Sequence, residues 1–217
     1  MKPDPADPHG SQPVLRAGAP LDQARAALIL VHGRGSTAGD ILALAKALNQ
    51  PEIAYLAPQA AGYTWYPQRF LVPQAANQPW LSSALAALQS VLDTVQAAGI
   101  PARRTLLLGF SQGACLALEF AVRRSLRLGG VAGLSGGLIG LDEEVQAAGA
   151  GASLDGTPIL LGCSDSDPHI PLGRVHLTAQ TLQRTGAQVD LRIYPGMGHE
   201  VCSDELDAVM NMLEIAE

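Results

Sequence analysis

Six apolar runs divide the chain, and several of them are continuous rather than alternating. They lie at 26–31, 53–57, 104–109, 129–134, 158–162 and 188–194. A continuous apolar run is typical of a strand that is buried on both faces, as in a parallel sheet. A further edge strand is expected at 13–17.

Helix-like segments separate these runs, at 39–48, 81–98, 112–124, 172–185 and 204–215. Two of them end at glycine-containing stop signals, 99–101 and Gly186. Strands that alternate with helices predict a doubly wound α/β sheet with helices on both faces, whose ligands bind at the carboxyl ends of the strands. Residues 135–157 are predicted to form loop or weak helix, so any lid is small.

Length and charge narrow the class of protein further. The chain has 217 residues, a hydrophobic fraction of 47% and a net charge of −6, with few and scattered Lys and Arg. One domain over 13–217 is expected, preceded by a loose tail at 1–12. The charge argues against nucleic-acid binding and against an anionic-membrane patch, and no run predicts stable membrane insertion or a signal peptide.

Three unpatterned cysteines predict neither a disulfide framework nor a metal site. A reduced, cytoplasmic setting is the default expectation. No cofactor is predicted, and the sequence leaves a homodimer open.

The segment GFSQG at 109–113 places Ser111 where a strand pattern becomes a helix pattern. A sharp turn at this point would project the hydroxyl from the edge of the sheet, and its crowded backbone would require Gly109 and Gly113. A serine hydroxyl becomes a nucleophile when a positioned base removes its proton. We therefore predict a nucleophile elbow at Ser111; the alternative is a glycine-rich turn with a capping serine.

A general base is expected late in the chain, in a loop after the last strand. The segment YPGMGHE at 194–200 supplies His199 in such a loop. His9 lies in the predicted tail, His176 within a helix and His169 beside the acid candidates, while His32 directly follows a strand and is expected to brace a loop. His199 is therefore the predicted base.

The carboxylate that orients the imidazole should follow another strand. Asp165 and Asp167 both lie in GCSDSDPHIP at 162–171, and Asp142 is a weaker candidate. Either of the first two produces the chain order serine, aspartate, histidine that is expected of an α/β-hydrolase. The alternative for Asp165 is a turn-forming role.

An acyl-transfer site also needs backbone donors for the oxyanion. The N–H of Gln112, directly after the nucleophile, is one candidate. The loop HGRGS at 32–36 follows the strand at 26–31, and its glycines allow the N–H of Arg34 to face the serine.

Together these residues resemble the phospholipase/carboxylesterase family of α/β-hydrolases, which includes acyl-protein thioesterases and small bacterial carboxylesterases. The resemblance rests on LVHGRG (30–35), APQA (57–60), GFSQG (109–113), DPHIPL (167–172) and GMGHE (196–200). It implies Ser111, His199 and Asp167 as the catalytic triad, because the family's acid directly precedes the proline. It also implies a serine hydrolase of carboxylic esters, with acyl-thioesterase or lysophospholipase activity as the alternative.

One departure from the family pattern bears on the substrate. Acyl-protein thioesterases typically have an apolar residue between the two glycines of the first loop, where this chain has Arg34. HGRG and TWYP (64–67) look more like the small bacterial esterases, some of which are linked to hydroquinone-responsive gene clusters. The resemblance therefore favours short acyl or aryl esters over long-chain lipids.

Five of the nine aromatic residues fall between positions 63 and 80, in a long proline-rich connection. Loops of this length are usually functional, although some rings must pin the loop to the body. The predicted substrate-binding residues are Arg34, Trp65, Tyr66, Phe70 and Trp80, with Arg34 available for a substrate carboxylate. A remote alternative is a non-catalytic binding module on the same fold.

Overall fold

Seven strands form a single sheet in the computed structural model, which describes residues 4–216. The strands are β1 (Val14–Gly18), β2 (Ala26–Val31), β3 (Ile53–Pro58), β4 (Thr105–Phe110), β5 (Gly130–Leu134), β6 (Pro158–Ser164) and β7 (Gln188–Tyr194). Their order across the sheet is β1-β3-β2-β4-β5-β6-β7. The edge strand β1 pairs antiparallel with β3, and every other pairing is parallel.

The interior strand β2 shows why a continuous apolar run indicates this architecture. All six of its residues are buried. Ala27 and Ile29 face one hydrophobic cluster, whereas Leu28 and Leu30 face the cluster on the opposite side. Because side chains alternate across a strand, burial on both faces requires apolar residues at every position.

Seven α-helices cover the two faces of the sheet over the described residues. They are α1 (Ala38–Leu42), α2 (Leu44–Leu48), α3 (Trp80–Ala97), α4 (Gln112–Arg124), α5 (Asp142–Ala148), α6 (Leu172–Arg184) and α7 (Ser203–Ile215). Helices α3 to α6 contribute to the larger cluster, and α1, α2 and α7 contribute to the smaller one. The predicted doubly wound α/β fold is confirmed.

One helix prediction differs from the structure, and one short helix lies in a stretch that was expected to be loop or weak helix. The single helix expected at 39–48 is divided at Ala43, whose N–H donates to the carbonyl of Asp40, three residues back rather than four. The stretch expected as loop or weak helix contains α5. Its start is capped by Glu144, which accepts from the N–H of Leu141 at 2.7 Å. This carboxylate satisfies a donor that the first turn would otherwise leave unpaired.

The expected loose tail at 1–12 is not what the structure shows from residue 7 onward. His9 is only 2% exposed, and its N–H donates to Ser83 Oγ on α3 at 2.9 Å. The prediction was wrong here because proline and charge content report local preference, while a tertiary contact anchors the segment. Residues 1–3 lie outside the described residues.

The parallel strands direct their carboxyl ends to one edge of the sheet. The connections that follow β2, β4, β6 and β7 begin at this edge, so the loop at 32–36, Ser111, the loop at 165–171 and His199 meet there. None of the helices described between residues 4 and 216 is long and apolar enough to cross a membrane.

Candidate active site

Ser111 occupies a strained turn between β4 and α4, with φ 56° and ψ −119°. A Cβ at Gly109 would lie 2.2 Å from the carbonyl oxygen of Gly113, and a Cβ at Gly113 would lie 2.0 Å from that of Val31. Both positions therefore require glycine. A positive φ at a serine indicates a conformation that the surrounding packing imposes, as in a nucleophile elbow.

The structure brings the predicted serine, histidine and aspartate into one hydrogen-bonded chain. Ser111 Oγ lies 2.9 Å from His199 Nε2, and His199 Nδ1 lies 2.7 Å from Asp167 Oδ2. The carboxylate accepts a hydrogen bond from the N–H at Nδ1, which leaves Nε2 without a hydrogen and free to accept the hydroxyl proton. This tautomer is the one that a general base requires.

The surroundings of Asp167 keep it charged. Its side chain is fully buried, and burial alone would raise its pKa. The hydrogen bonds from His199 and from the backbone N–H groups of His169 and Ile170 outweigh burial, so the pKa of Asp167 lies below its ordinary value. A charged carboxylate can orient the imidazole and stabilise its protonated form.

The other two acid candidates have different partners. Asp165 Oδ1 accepts from the N–H of Gly196 at 2.9 Å and so holds the loop that carries His199. Asp142 pairs with Arg174 at 2.6 Å. Of the three carboxylates, it is Asp167 that contacts the imidazole.

The two predicted oxyanion donors lie beside the serine. Gln112 is the first residue of α4, and its backbone N–H belongs to a helix N-terminus without an intrahelical acceptor. The loop with Arg34 comes close, since a Cβ at Gly33 would lie 3.4 Å from the Cβ of Ser111. Within residues 4–216, the backbone N–H of neither Arg34 nor Gln112 donates to a protein acceptor. Both groups are thus available to a ligand.

A match to a family of known proteins covers almost all of the chain. Residues 15–217 match the model of the family described as Phospholipase/Carboxylesterase. The chain belongs to the phospholipase/carboxylesterase family. The resemblance seen in the sequence is confirmed. The prediction of an esterase- or thioesterase-type hydrolase is also confirmed, at the level of the family.

Individual relatives of this family member support the same placement. Acyl-protein thioesterase 1 of Saccharomyces cerevisiae is 27% identical over 92% of this chain and 96% of its own length. Acyl-protein thioesterase 1 of Neurospora crassa is 33% identical, but the match covers 53% of this chain and 47% of that protein, about half its length. The crystal structure of a phospholipase/carboxylesterase from Dyadobacter fermentans has a TM-score of 0.87 and 39% identity, covering 94% of this chain and 97% of that one.

A cleft of about 590 Å³ opens beside Ser111 and His199 in this member of the family. Tyr66 and Phe70 line it, as predicted. Trp65 and Trp80, the other two aromatic residues predicted to bind substrate, are not among the residues that line it. Trp65 is fully buried and donates its indole N–H to the carbonyl of His32 at 2.8 Å. Ring identity alone could not separate a cleft wall from a loop anchor, because both functions favour aromatic residues.

The Arg34 side chain is engaged by the protein itself. Its guanidinium donates to the backbone carbonyls of Tyr66, Pro67 and Gln68 at 2.9, 3.0 and 2.7 Å. The predicted role of this side chain in pairing with a substrate carboxylate is therefore not what the structure shows. The guanidinium instead ties the loop at 32–36 to residues 66–68, which line the cleft.

Sequence reasoning missed three residues around the imidazole. The rings of Phe110 and His169 lie 4.9 and 4.8 Å from the ring of His199, centroid to centroid, and Ile170 also lines the cleft. Each is adjacent in sequence to a predicted site residue or motif, which is the signal that could have found it. The rings of Phe110 and His169 restrict the positions open to the imidazole.

The Gln112 side chain has a role beyond the backbone donor that was predicted. Its Oε1 accepts from the N–H of Trp65 at 2.9 Å, and its Nε2 donates to the carbonyl of Tyr66 at 2.8 Å. The amide therefore joins the start of α4 to Trp65 and to the cleft-lining Tyr66.

Over the described residues, 4–216, no group of three or more His, Cys, Asp or Glu side chains could hold a metal ion.

Proposed function

We propose that this protein is a serine hydrolase that cleaves carboxylic esters through an acyl-enzyme on Ser111. The observation that carries the proposal is the continuous hydrogen-bonded chain from Asp167 through His199 to Ser111 Oγ, at 2.7 and 2.9 Å. A serine with a positive φ, a base of the correct tautomer and two unoccupied backbone donors together form the constellation that acyl transfer needs.

The reaction follows from this geometry. His199 Nε2 removes the proton from Ser111 Oγ as the oxygen attacks the ester carbonyl. The N–H groups of Arg34 and Gln112 stabilise the oxyanion, while Asp167 stabilises the imidazolium. The imidazolium then protonates the departing alcohol, and the C–O bond breaks to leave the acyl-enzyme. Water, deprotonated by His199, hydrolyses this ester and returns the carboxylic acid.

The dimensions of the cleft support short acyl or aryl esters. Its volume of about 590 Å³ suits a small-molecule ligand. The inner wall contains Cys115, which is 1% exposed, and Tyr66, which is also 1% exposed, so these residues close the cleft from below. Phe70 and Ile170 supply apolar surface for a short chain or a ring.

Thioester cleavage is a second candidate activity. It uses the same attack on a carbonyl carbon, and two of the curated relatives are named acyl-protein thioesterase 1. A thiol departs more readily than an alcohol, so the same triad serves both reactions. A lysophospholipase activity would require the cleft to accept a long acyl chain.

The test combines active-site labelling with a substrate panel. A fluorophosphonate probe should label the parent protein and Ser90→Ala, whose serine is exposed on α3, but not Ser111→Ala. Ser111→Ala should lose about 10⁴-fold or more in kcat. Retained esterase activity in this variant would refute the mechanism.

The panel contains p-nitrophenyl esters of increasing acyl length, aryl acetates and the matching thioesters. The highest kcat/KM should occur with short acyl chains or aryl esters. A clear optimum at long chains would refute the short-substrate proposal and leave the mechanism intact. No labelling and no turnover with any ester would favour the non-catalytic binding module instead.

A further inference from the structure

Residues 7–12, called the N-terminal strap below, pack against α3. His9 in this strap is 2% exposed. The ring of His9 lies between two indoles, 5.4 Å from Trp65 and 5.4 Å from Trp80, centroid to centroid. Its backbone N–H donates to Ser83 Oγ, which in turn donates to Asp7 Oδ1. The strap is thereby fixed to α3.

Both ring nitrogens of His9 bind backbone groups of the segment at 61–65, which directly precedes the cleft-lining Tyr66. Nδ1 lies 3.1 Å from the N–H of Ala61, and Nε2 lies 3.0 Å from the carbonyl oxygen of Trp65. Because the amide of Ala61 can only donate, Nδ1 must accept, and Nε2 must carry the proton that is donated to Trp65. The ring therefore satisfies one donor and one acceptor that are otherwise unpaired near the ends of the segment at 61–65.

Protonation of His9 would oppose this arrangement. A proton on Nδ1 would face the N–H of Ala61. Burial lowers the pKa of His9, and the nearby His32 lowers it further, whereas the bond to Trp65 and the Asp7 carboxylate raise it. The net shift is downward, which favours the neutral tautomer that the two backbone bonds require.

The segment that His9 holds is joined to both oxyanion donors. The indole N–H of Trp65 donates to the carbonyl of His32 at 2.8 Å, and the N–H of Gly35 donates to the carbonyl of Tyr63 at 2.8 Å. These two bonds enclose the loop with Arg34. The N–H of Trp65 also donates to the side chain of Gln112 at 2.9 Å.

We propose that His9 is a positioning residue for the oxyanion hole, acting through the segment at 61–65 on the backbone N–H groups of Arg34 and Gln112. This inference rests on the proposed function, because it assigns those two groups to the oxyanion. Binding of the ground-state ester depends chiefly on the cleft walls. Loss of His9 should therefore lower kcat with little change in KM.

The experiment compares His9→Phe, which keeps a ring between the two indoles but has no ring nitrogens, with Thr157→Val as the matched control. Thr157 is also fully buried and makes two side-chain hydrogen bonds to backbone groups, but it lies at the amino end of β6, opposite the triad. In p-nitrophenyl acetate hydrolysis, His9→Phe should lose about 10- to 100-fold in kcat, less than the 10²–10³-fold typical for loss of a whole oxyanion donor. Thr157→Val should keep kcat within about twofold of the parent.

A rescue experiment adds a readout that a general loss of stability would not move. In His9→Gly, added imidazole should restore kcat with saturation, after subtraction of the imidazole-catalysed rate measured without enzyme. Thr157→Val should show no such response. Saturable recovery in His9→Gly alone supports a role that depends on the ring nitrogens.

The proposal would be overturned by a folded His9→Phe with kcat within twofold of the parent, or by equal losses of kcat in His9→Phe and Thr157→Val at equal melting temperature. If His9→Phe does not fold, His9→Asn is read in its place with the same limits. Ser111→Ala is assayed in the same series. Activity in Ser111→Ala rejects the proposed function, whereas an inactive Ser111→Ala beside a normal His9→Phe rejects only the role of His9.

Discussion

Replacing Gly113 with alanine would place a methyl group against the main chain of β2. The new Cβ would lie 2.0 Å from the carbonyl oxygen of Val31 and 2.6 Å from that of His32. Ordinary contact for such a pair begins near 3.4 Å. Helix α4 and strand β2 would therefore have to separate by roughly 1 Å or more, since neither backbone atom can rotate away.

The expected cost is at the upper end of the range for overpacking. Inserted methylenes cost about 1–3 kcal/mol when flexible side chains absorb the strain, and here the neighbour is backbone. We expect Gly113→Ala to lower the free energy of unfolding by about 3 kcal/mol. For a domain of this size, this corresponds to a decrease of about 6–12 °C in Tm.

The same separation should impair activity, because His32 leads directly into the loop for which we propose an oxyanion donor. A displacement of about 1 Å near a reacting centre can cost about 10²-fold, so kcat should fall by a similar factor. Thermal unfolding by circular dichroism gives the stability effect, and hydrolysis of p-nitrophenyl acetate at 20 °C gives kcat for the fraction that remains folded.

Gly173→Ala is the matched control. Gly173 lies in the first turn of α6, and no atom lies within 4 Å of the position of its Cβ. This substitution should leave kcat unchanged and raise stability by up to about 1 kcal/mol. A Gly113→Ala protein that melts within 1 °C of the parent and keeps its kcat would show that the close approach of α4 to β2 is not required.

Three further predictions follow from the site and its surroundings. Asp167→Asn should lower kcat by about 10⁴-fold and Asp165→Asn by about 10-fold, since only Asp167 contacts the imidazole; equal losses would contradict this assignment. Arg34→Met should lower kcat/KM about 10-fold for neutral and anionic esters alike, because the guanidinium holds backbone carbonyls; a loss confined to anionic esters would contradict it. Burial raises the pKa of Glu205, so its charged form costs stability as pH rises above about 4.5, the ordinary glutamate value. Glu205→Gln should therefore raise Tm at pH 8 but not at pH 4, and an equal gain at both pH values would refute this reasoning.

The direction for Glu205 follows from proton binding. A folded-state pKa above the unfolded value means that the folded protein binds more protons in this pH range. The contribution of protonated Glu205 to the free energy of unfolding is fully present below the unfolded pKa. This contribution is lost as pH rises through the folded pKa. Glutamine removes the ionisation and retains an oxygen that can accept from the N–H of Cys202, as Glu205 Oε2 does at 3.0 Å.

The elements of the sheet could be predicted from local pattern because the physical cause is local. Each strand in the middle of a parallel sheet is covered on both faces, so consecutive residues must be apolar, as in Ala26–Val31. The elbow at Ser111 could be predicted in the same way. Only glycine fits at 109 and 113, where a Cβ would meet backbone at 2.2 and 2.0 Å.

The choice among carboxylates could not be made from spacing alone. Asp165 and Asp167 both follow β6, and either could reach the edge of the sheet where His199 lies. The family resemblance favoured Asp167. In the structure, Asp165 accepts a hydrogen bond from the N–H of Gly196, whereas the buried side chain of Asp167 contacts the imidazole.

The sequence by itself determined the strands and the glycines of the elbow, because each depends on the identity of residues within a few positions of one another. Only the tertiary structure decided what Arg34, Trp65 and His9 contact. The hydrogen-bond partners of these three side chains lie between 32 and 56 positions away in the chain. A guanidinium, an indole or an imidazole is suited both to a ligand and to backbone carbonyls, and which of these it binds depends on which group the fold brings within hydrogen-bond distance.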